Sequence, residues 1–102
     1  MSPRQGEIWW AEAEDKRRPV LIVTRSEAAL VLGWLTVAPV TRKSRGIPTE
    51  IRLGEGEGLR EESVATFDNL QPIRKAVLTE RVGQISDARM VICRALAALA
   101  DC

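Results

Sequence analysis

The sequence contains no histidine. That excludes Ser–His–Asp and His–Cys catalysis and removes the commonest zinc ligand. Its two cysteines, Cys93 and Cys102, do not form a disulfide framework or a metal-binding pattern. No cofactor is implied. Long hydrophobic runs are missing as well. The longest apolar stretches fall far short of the ~20 residues that span a bilayer. No charged segment followed by a hydrophobic signal stretch is visible either, so the expected compartment is the cytoplasm, with no membrane partner. An excess of charge of one sign is also absent: 15 Lys+Arg stand against 14 Asp+Glu, for a formal charge of +1. So small a net charge gives no general reason to expect nucleic-acid binding. Repeats, low-complexity tracts and linkers are lacking, and 102 residues suit a single domain, 1–102, with a limited core.

What is present is an ordinary globular composition, 45% apolar and 28% charged. The charges are clustered. Lys16, Arg17 and Arg18 form one basic group, Arg42, Lys43 and Arg45 another, and the stretch from Glu50 to Glu62 is mostly acidic. Such clusters could give a near-neutral chain one electropositive surface, but by themselves they read first as a plain solvated face.

Short β-rich segments dominate the pattern. Gln5–Ala11 (QGEIWWA) reads as a first strand, and Glu12–Arg17 as a short charged loop. Val20–Thr24 is apolar without alternation, as expected of a strand buried on both faces. Ser26 is placed to N-cap one helical turn, which Gly33 ends. Trp34–Thr41 (WLTVAPVT) is a strong strand, with Pro39 implying an edge position or a bulge. In Pro48–Leu53, Ile51 and Leu53 share one face and Glu50 and Arg52 the other. A Gly/Glu-rich turn spans Gly54–Glu62, Ser63–Phe67 is a short strand, and Leu78–Ile85 is a turn and then a strand. Ser86 with Asp87 is an N-cap signal for a final helix, in which Ala88, Val91, Ile92, Ala95, Leu96 and Leu99 recur at helical spacing. Five to seven short strands with one terminal helix predict a small barrel, or a strongly bent sheet covered by a helix.

Several stretches in order resemble the MazF/PemK/Kid toxins, the ribonuclease halves of bacterial toxin–antitoxin pairs. The opening RQGEIWWA is similar to their first strand, and RPVLIVT to a second strand that begins with Arg-Pro. TVAPVT resembles the strand that ends in a threonine, GIPTEI the segment after it, and SVATFDNLQPI the strand that precedes a carboxylate–amide pair. RVGQIS before a helix resembles the family's ending. The resemblance implies a mainly β fold: a small SH3-like, MazF/CcdB-like β-barrel with a C-terminal helix. It also implies a homodimer, a cognate MazE-like antitoxin, and metal-independent, sequence-specific cleavage of single-stranded RNA. The RNA would be mRNA, with tRNA and rRNA as further classes. Attack by the 2′-hydroxyl would leave 2′,3′-cyclic phosphate and 5′-hydroxyl ends.

The resemblance carries roles onto particular residues. Arg18, before Pro19, matches the catalytic arginine, and its permanently charged fork suits transition-state stabilisation better than proton abstraction. Thr41 matches the catalytic threonine, a hydroxyl donor to phosphate. Asp68 and Asn69 match the carboxylate–amide pair and are expected to read base edges, with Gln71 as a weaker addition. Arg42, Lys43 and Arg45 are expected to track the RNA backbone, and Arg17 to add an auxiliary charge. Trp9, Trp10 and Trp34 offer stacking faces, with at least one of the first two pointing outward. The chain departs from the family in its first loop, which is only about six residues long. That places in doubt any acidic contribution from Glu12, Glu14 or Asp15 and points to a more open groove. The alternative is a non-catalytic toxin of the same fold that grips a protein target such as a topoisomerase. A degenerate decoy fits less well, since both matched catalytic positions are intact.

Overall fold

The computed structural model describes residues 2–13 and 16–100. Its elements in order are β1 (Glu7–Ala13), β2 (Lys16–Ile22), α1 (Ser26–Ala29), β3 (Trp34–Thr41), β4 (Glu50–Leu53), β5 (Ser63–Thr66), β6 (Gln71–Arg74), β7 (Leu78–Gln84) and α2 (Ala88–Leu99). The strands pair antiparallel in the order β4-β5-β3-β2-β1-β7, and β6 joins β3 off that path. This curled sheet with a C-terminal helix is the mainly β architecture expected from the sequence.

Two apolar clusters explain the curl. Ile8, Leu21, Ala38, Val40, Phe67 and others lie inside it, closed over by Ile92 and Ala95 of α2. Trp9, Val20, Ile22, Ala29, Leu35 and Val37 form a second cluster on the opposite face. Strands β1 to β3 are therefore buried on both sides, which is why Val20–Val23 shows no alternation. In β4, with one face buried, Ile51 and Leu53 point inward and Arg52 outward, as its alternating pattern predicted.

Several boundaries differ from the sequence expectation, each for a physical reason. The expected loop Glu12–Arg17 is mostly strand. Glu12 pairs with Arg17 and Ala13 with Lys16, in a ribbon whose ends are exposed. Charges read as a loop there because the ribbon is wet, while Arg17 still makes cross-strand contacts to Glu12 (3.5 Å) and over the Trp10 ring (4.2 Å). Glu14 and Asp15, and likewise Cys102, lie outside the described residues. β6 had no expected counterpart. Its Pro72 masks a strand that borders only β3, a position where proline is tolerated. Ser26 does not cap α1. Arg25 holds the N-cap position, and the Ser26 hydroxyl accepts the Gln5 N–H at 3.1 Å. Asp87 is the N-cap of α2, but its left-handed backbone (φ 52°) departs from the extended geometry of a capping side chain, and it makes no cap bond. Of the tryptophans, only Trp9 is core. Trp10 is half-buried, and Trp34 is exposed beneath the Arg74 guanidinium.

Strand β7 meets the turn after β4 through two glycines. A Cβ on Gly83 would lie 2.0 Å from the Glu57 carbonyl oxygen, and one on Gly58 (φ +93°) 2.4 Å from that of Val82. Backbone meets backbone here, so no side-chain rotation relieves a clash. Gly83→Ala is expected to lower stability by about 1–3 kcal/mol, the range of overpacking costs. Gly33→Ala, where a Cβ meets nothing within 4 Å, is expected to be near neutral. Urea denaturation of both variants measures the contrast, and equal midpoints would refute the close-approach account.

Candidate active site

β2 and β3 pair only through Val20↔Pro39, Leu21↔Ala38 and Ile22↔Val37. Pro19 has no N–H with which to continue the ladder. On the opposite edge of β3 the partner changes from β6, over Trp34–Val37, to β5, through Val40↔Ala65 and Thr41↔Val64. Pro39 sits at this change of partner. It is neither on an edge strand nor in a bulge, but in a short stretch of β3 that has no neighbour on the β5/β6 side among the described residues. The two strands therefore fork. Continuing their register by two residues sets Arg18 opposite Thr41 on the same face.

The fork opens a cavity of about 830 Å³, lined by Arg18, Pro19, Thr41 and Arg42, by Trp10 and Arg17, and by Arg60, Glu61 and Glu80. Sequence reasoning found Arg17, Arg18, Thr41 and Arg42 of this set. It missed Arg60, Glu61 and Glu80, because a Gly/Glu-rich turn and a β7 strand carry no local signal of lying beside the start of β2.

The cations of the cavity are not equivalent. Arg17 donates to Glu80 at 3.1 Å, lies 3.5 Å from Glu12 and stacks on Trp10. Arg42 is hydrogen-bonded to the Glu61 carboxylate. Among the described residues, no carboxylate comes within ion-pair distance of Arg18 or Arg60. The Thr41 hydroxyl oxygen accepts the Lys43 N–H at 3.3 Å, which leaves its own proton available to another acceptor.

Asp68, Asn69 and Gln71 do not line this cavity, and neither do Lys43 and Arg45. Asp68 accepts the Thr49 hydroxyl at 2.7 Å and lies 3.8 Å from Arg45. Asn69 closes a 3₁₀ turn, and Gln71 opens β6 opposite Val37; both are exposed. The expected carboxylate–amide pair is thus displaced from the Arg18–Thr41 fork, because the chain after β5 turns toward β6 and β3's other end. Among the described residues, no group of three or more His, Cys, Asp or Glu side chains is arranged to hold a metal.

The basic loop after Thr41 is fixed by one carboxylate. Glu50 has a side chain only 3% exposed and accepts the N–H groups of Arg45 (3.0 Å) and Gly46 (3.0 Å) and the Ser44 hydroxyl (3.3 Å). Burial by itself raises its pKa. The backbone N–H groups of Arg45, Gly46 and Ile47, with Ser44, outweigh burial and hold it below the ordinary 4.5. A depressed carboxylate stabilises the fold above its unfolded value and loses that contribution as pH falls through the folded value. Accordingly, the Arg45 and Gly46 amide resonances are expected to titrate together with a midpoint below 4.5, and Glu50→Gln is expected to abolish that titration. A midpoint above 4.5 would contradict the assignment.

Residues 4–100 match the family model described as "PemK-like, MazF-like toxin of type II toxin-antitoxin system". The chain is 39% identical over 103 residues to a protein of Mycobacterium tuberculosis named "Probable endoribonuclease MazF5", covering 98% of this chain and 94% of that one. Among solved structures, the Mycobacterium tuberculosis toxin MazF-mt6 superposes with a TM-score of 0.81 at 33% identity, covering 91% of this chain and 95% of that one. A mycobacterial endoribonuclease in complex with its cognate antitoxin gives 0.80 at 25% identity, covering 95% and 94%. No helix among the described residues is long and apolar enough to cross a membrane. The chain belongs to the PemK-like, MazF-like toxins of type II toxin–antitoxin systems.

Proposed function

We propose that the chain is a metal-independent endoribonuclease that cuts single-stranded RNA by attack of a 2′-hydroxyl on the adjacent phosphorus. It works as a homodimer in the cytoplasm and is held in check by a MazE-like antitoxin. The carrying observation is the fork that sets Arg18 and Thr41 on one face of one cavity. The names of its relatives support the same reading.

Arg18 neutralises the oxygens of the phosphorane as negative charge develops. Arginine is charged throughout, so the role needs no proton transfer and no histidine. Thr41 donates its hydroxyl proton to a phosphoryl oxygen while the Lys43 N–H holds its oxygen in place. Arg17, tied to Glu80, Glu12 and Trp10, sets the local field and props the wall beside Arg18. Asp68, with Arg45 beside it, and the exposed Asn69 and Gln71 would hold base edges of an extended strand, and Lys43, in the loop after Thr41, a flanking phosphate.

Mapping RNA ends after incubation with purified protein in chelator tests the reaction. The expected products carry 2′,3′-cyclic phosphate and 5′-hydroxyl termini. Arg18→Ala is expected to lower kcat by about 10²–10³-fold, the cost of removing one preorganised charge donor. Because the contact forms in the transition state, kcat/KM should fall in parallel. Arg18→Lys should recover part of the loss, and Thr41→Ser more than Thr41→Ala. Undiminished cleavage by the Arg18→Ala/Thr41→Ala double variant would exclude these roles. A protein that cuts no RNA but captures a protein target would instead be a non-catalytic toxin.

A further inference from the structure

We infer that Arg60 holds a second, non-scissile phosphate of the RNA, at the divide between the reaction cavity and a neighbouring cleft; this rests on the endoribonuclease reading above. The neighbouring cleft has a volume of about 600 Å³ and lies along β4 and the turn after it, with Arg52, Gly54 and Glu57 in its lining. It shares Arg42, Arg60 and Ser63 with the reaction cavity. The two hollows therefore adjoin at these residues, which form the ridge between them. A strand whose reacting phosphate lies at Arg18 and which continues into the neighbouring cleft must pass that ridge.

At the ridge the two cations differ. Arg42 is occupied by Glu61, whereas no carboxylate among the described residues lies within ion-pair distance of Arg60. A guanidinium fork without an internal partner is suited to two oxygens of one phosphate. The backbone that carries Arg60 is also fixed. The Gly54 N–H donates to Glu57 Oε1 at 2.7 Å, and the Leu59 N–H to the Gly54 carbonyl at 3.1 Å. Gly58 and Gly83 press this turn onto β7, Leu59 packs on the core, and Ser63 begins β5 three residues later. Arg60 thus stands on a closed, anchored turn, so less ordering entropy is lost on binding than from a loose loop. The far cleft mixes Arg52 with Glu55, Glu57 and Glu62. That mixture argues for one phosphate gripped at the ridge rather than a backbone tracked through the whole cleft.

The test uses an oligoribonucleotide that carries the protein's mapped cleavage sequence, with a 2′-deoxy sugar at the cut so that it binds uncut. In a series of such oligonucleotides, one linkage at a time is replaced by a neutral methylphosphonate. Wild-type protein is expected to lose affinity at one non-scissile linkage. Arg60→Ala is expected to bind the all-phosphate RNA more weakly, by about the same factor, and to be indifferent to that one neutral linkage. Its log–log salt slope should fall by about 0.7, the value for one contact to a single strand. Arg60→Gln, which keeps the aliphatic stem, should show the same coupling, and Arg60→Lys should restore the slope. Unchanged affinity of both neutral variants, equal sensitivity at every linkage, or coupling to the scissile linkage would each overturn the inference. If wild-type protein neither binds nor cuts any RNA, the endoribonuclease reading itself falls. If it binds and cuts but Arg60 is uncoupled, only this inference does.

Discussion

The missing N–H of Pro19 is the constraint on which the site depends. A sheet of this kind closes itself by continuing each ladder, and an unbroken β2–β3 ladder would bring Arg18 and Thr41 within ordinary cross-strand contact and leave no room between them. With no donor at Pro19, the β2–β3 ladder stops at the Val20↔Pro39 pair, while the other edge of β3 holds its last residues on β5. The register established by the three paired residues survives past the split, so the two side chains still face the same way. A local backbone defect thereby sets two polar groups on the lining of one cavity.

The opposite wall of the cavity depends on glycine for a related reason. Turn 54–60 reaches β7 only because neither Gly58 nor Gly83 has a side chain at the contact. That contact brings Arg60 and Glu61 toward β2 and β3, elements far away in sequence. A third anchor is the buried Glu7, which accepts from Arg81 Nε (2.8 Å), Trp9 Nε1 (3.1 Å) and the Arg4 N–H (2.8 Å). Three donors engage its carboxylate, and β1 is tied to β7 by a charge-assisted contact as well as by its ladder. The cavity walls therefore belong to rigid elements, whereas Glu12 and Ala13 of β1 and Lys16 and Arg17 of β2 are exposed.

What could be read from the sequence follows from this division. Strand β3 was legible over its full length, Trp34–Thr41, because exposed and buried residues alternate over Trp34–Val37 and the run Val37–Val40 is buried without a break. Helix α2 was legible through the spacing of Val91, Ile92 and Ala95. β6 was not, since a four-residue edge strand with a proline has no pattern of its own. The fork was only half legible. Arg18 and Thr41 stood out by resemblance, yet that one register unites them is a fact of pairing, not of either segment. Arg60, Glu61 and Glu80 were illegible because strand order β1–β7 and a glycine contact, not local chemistry, deliver them. For Asp68, Asn69 and Gln71 the motif named the residues, but where the chain carries them, outside the cavity lining, is again a fact of the fold.

The same geometry explains how a chain of nearly zero net charge presents a cationic site. Average charge measures solubility and long-range steering, not the potential in a cleft. Here the carboxylates that balance the total are placed selectively. Glu12 and Glu80 meet Arg17, Glu61 meets Arg42, Glu50 faces the backbone of the loop, and Glu7 meets Arg81. Each such pair consumes a cation that a count of arginines would have credited to substrate. Exposed pairs of this kind add little stability. Their effect is to leave Arg18, fixed beside Pro19, as a guanidinium at the fork without a partner among the described carboxylates. In a site with no histidine, discrimination between one arginine and the next is therefore achieved by pairing rather than by residue type.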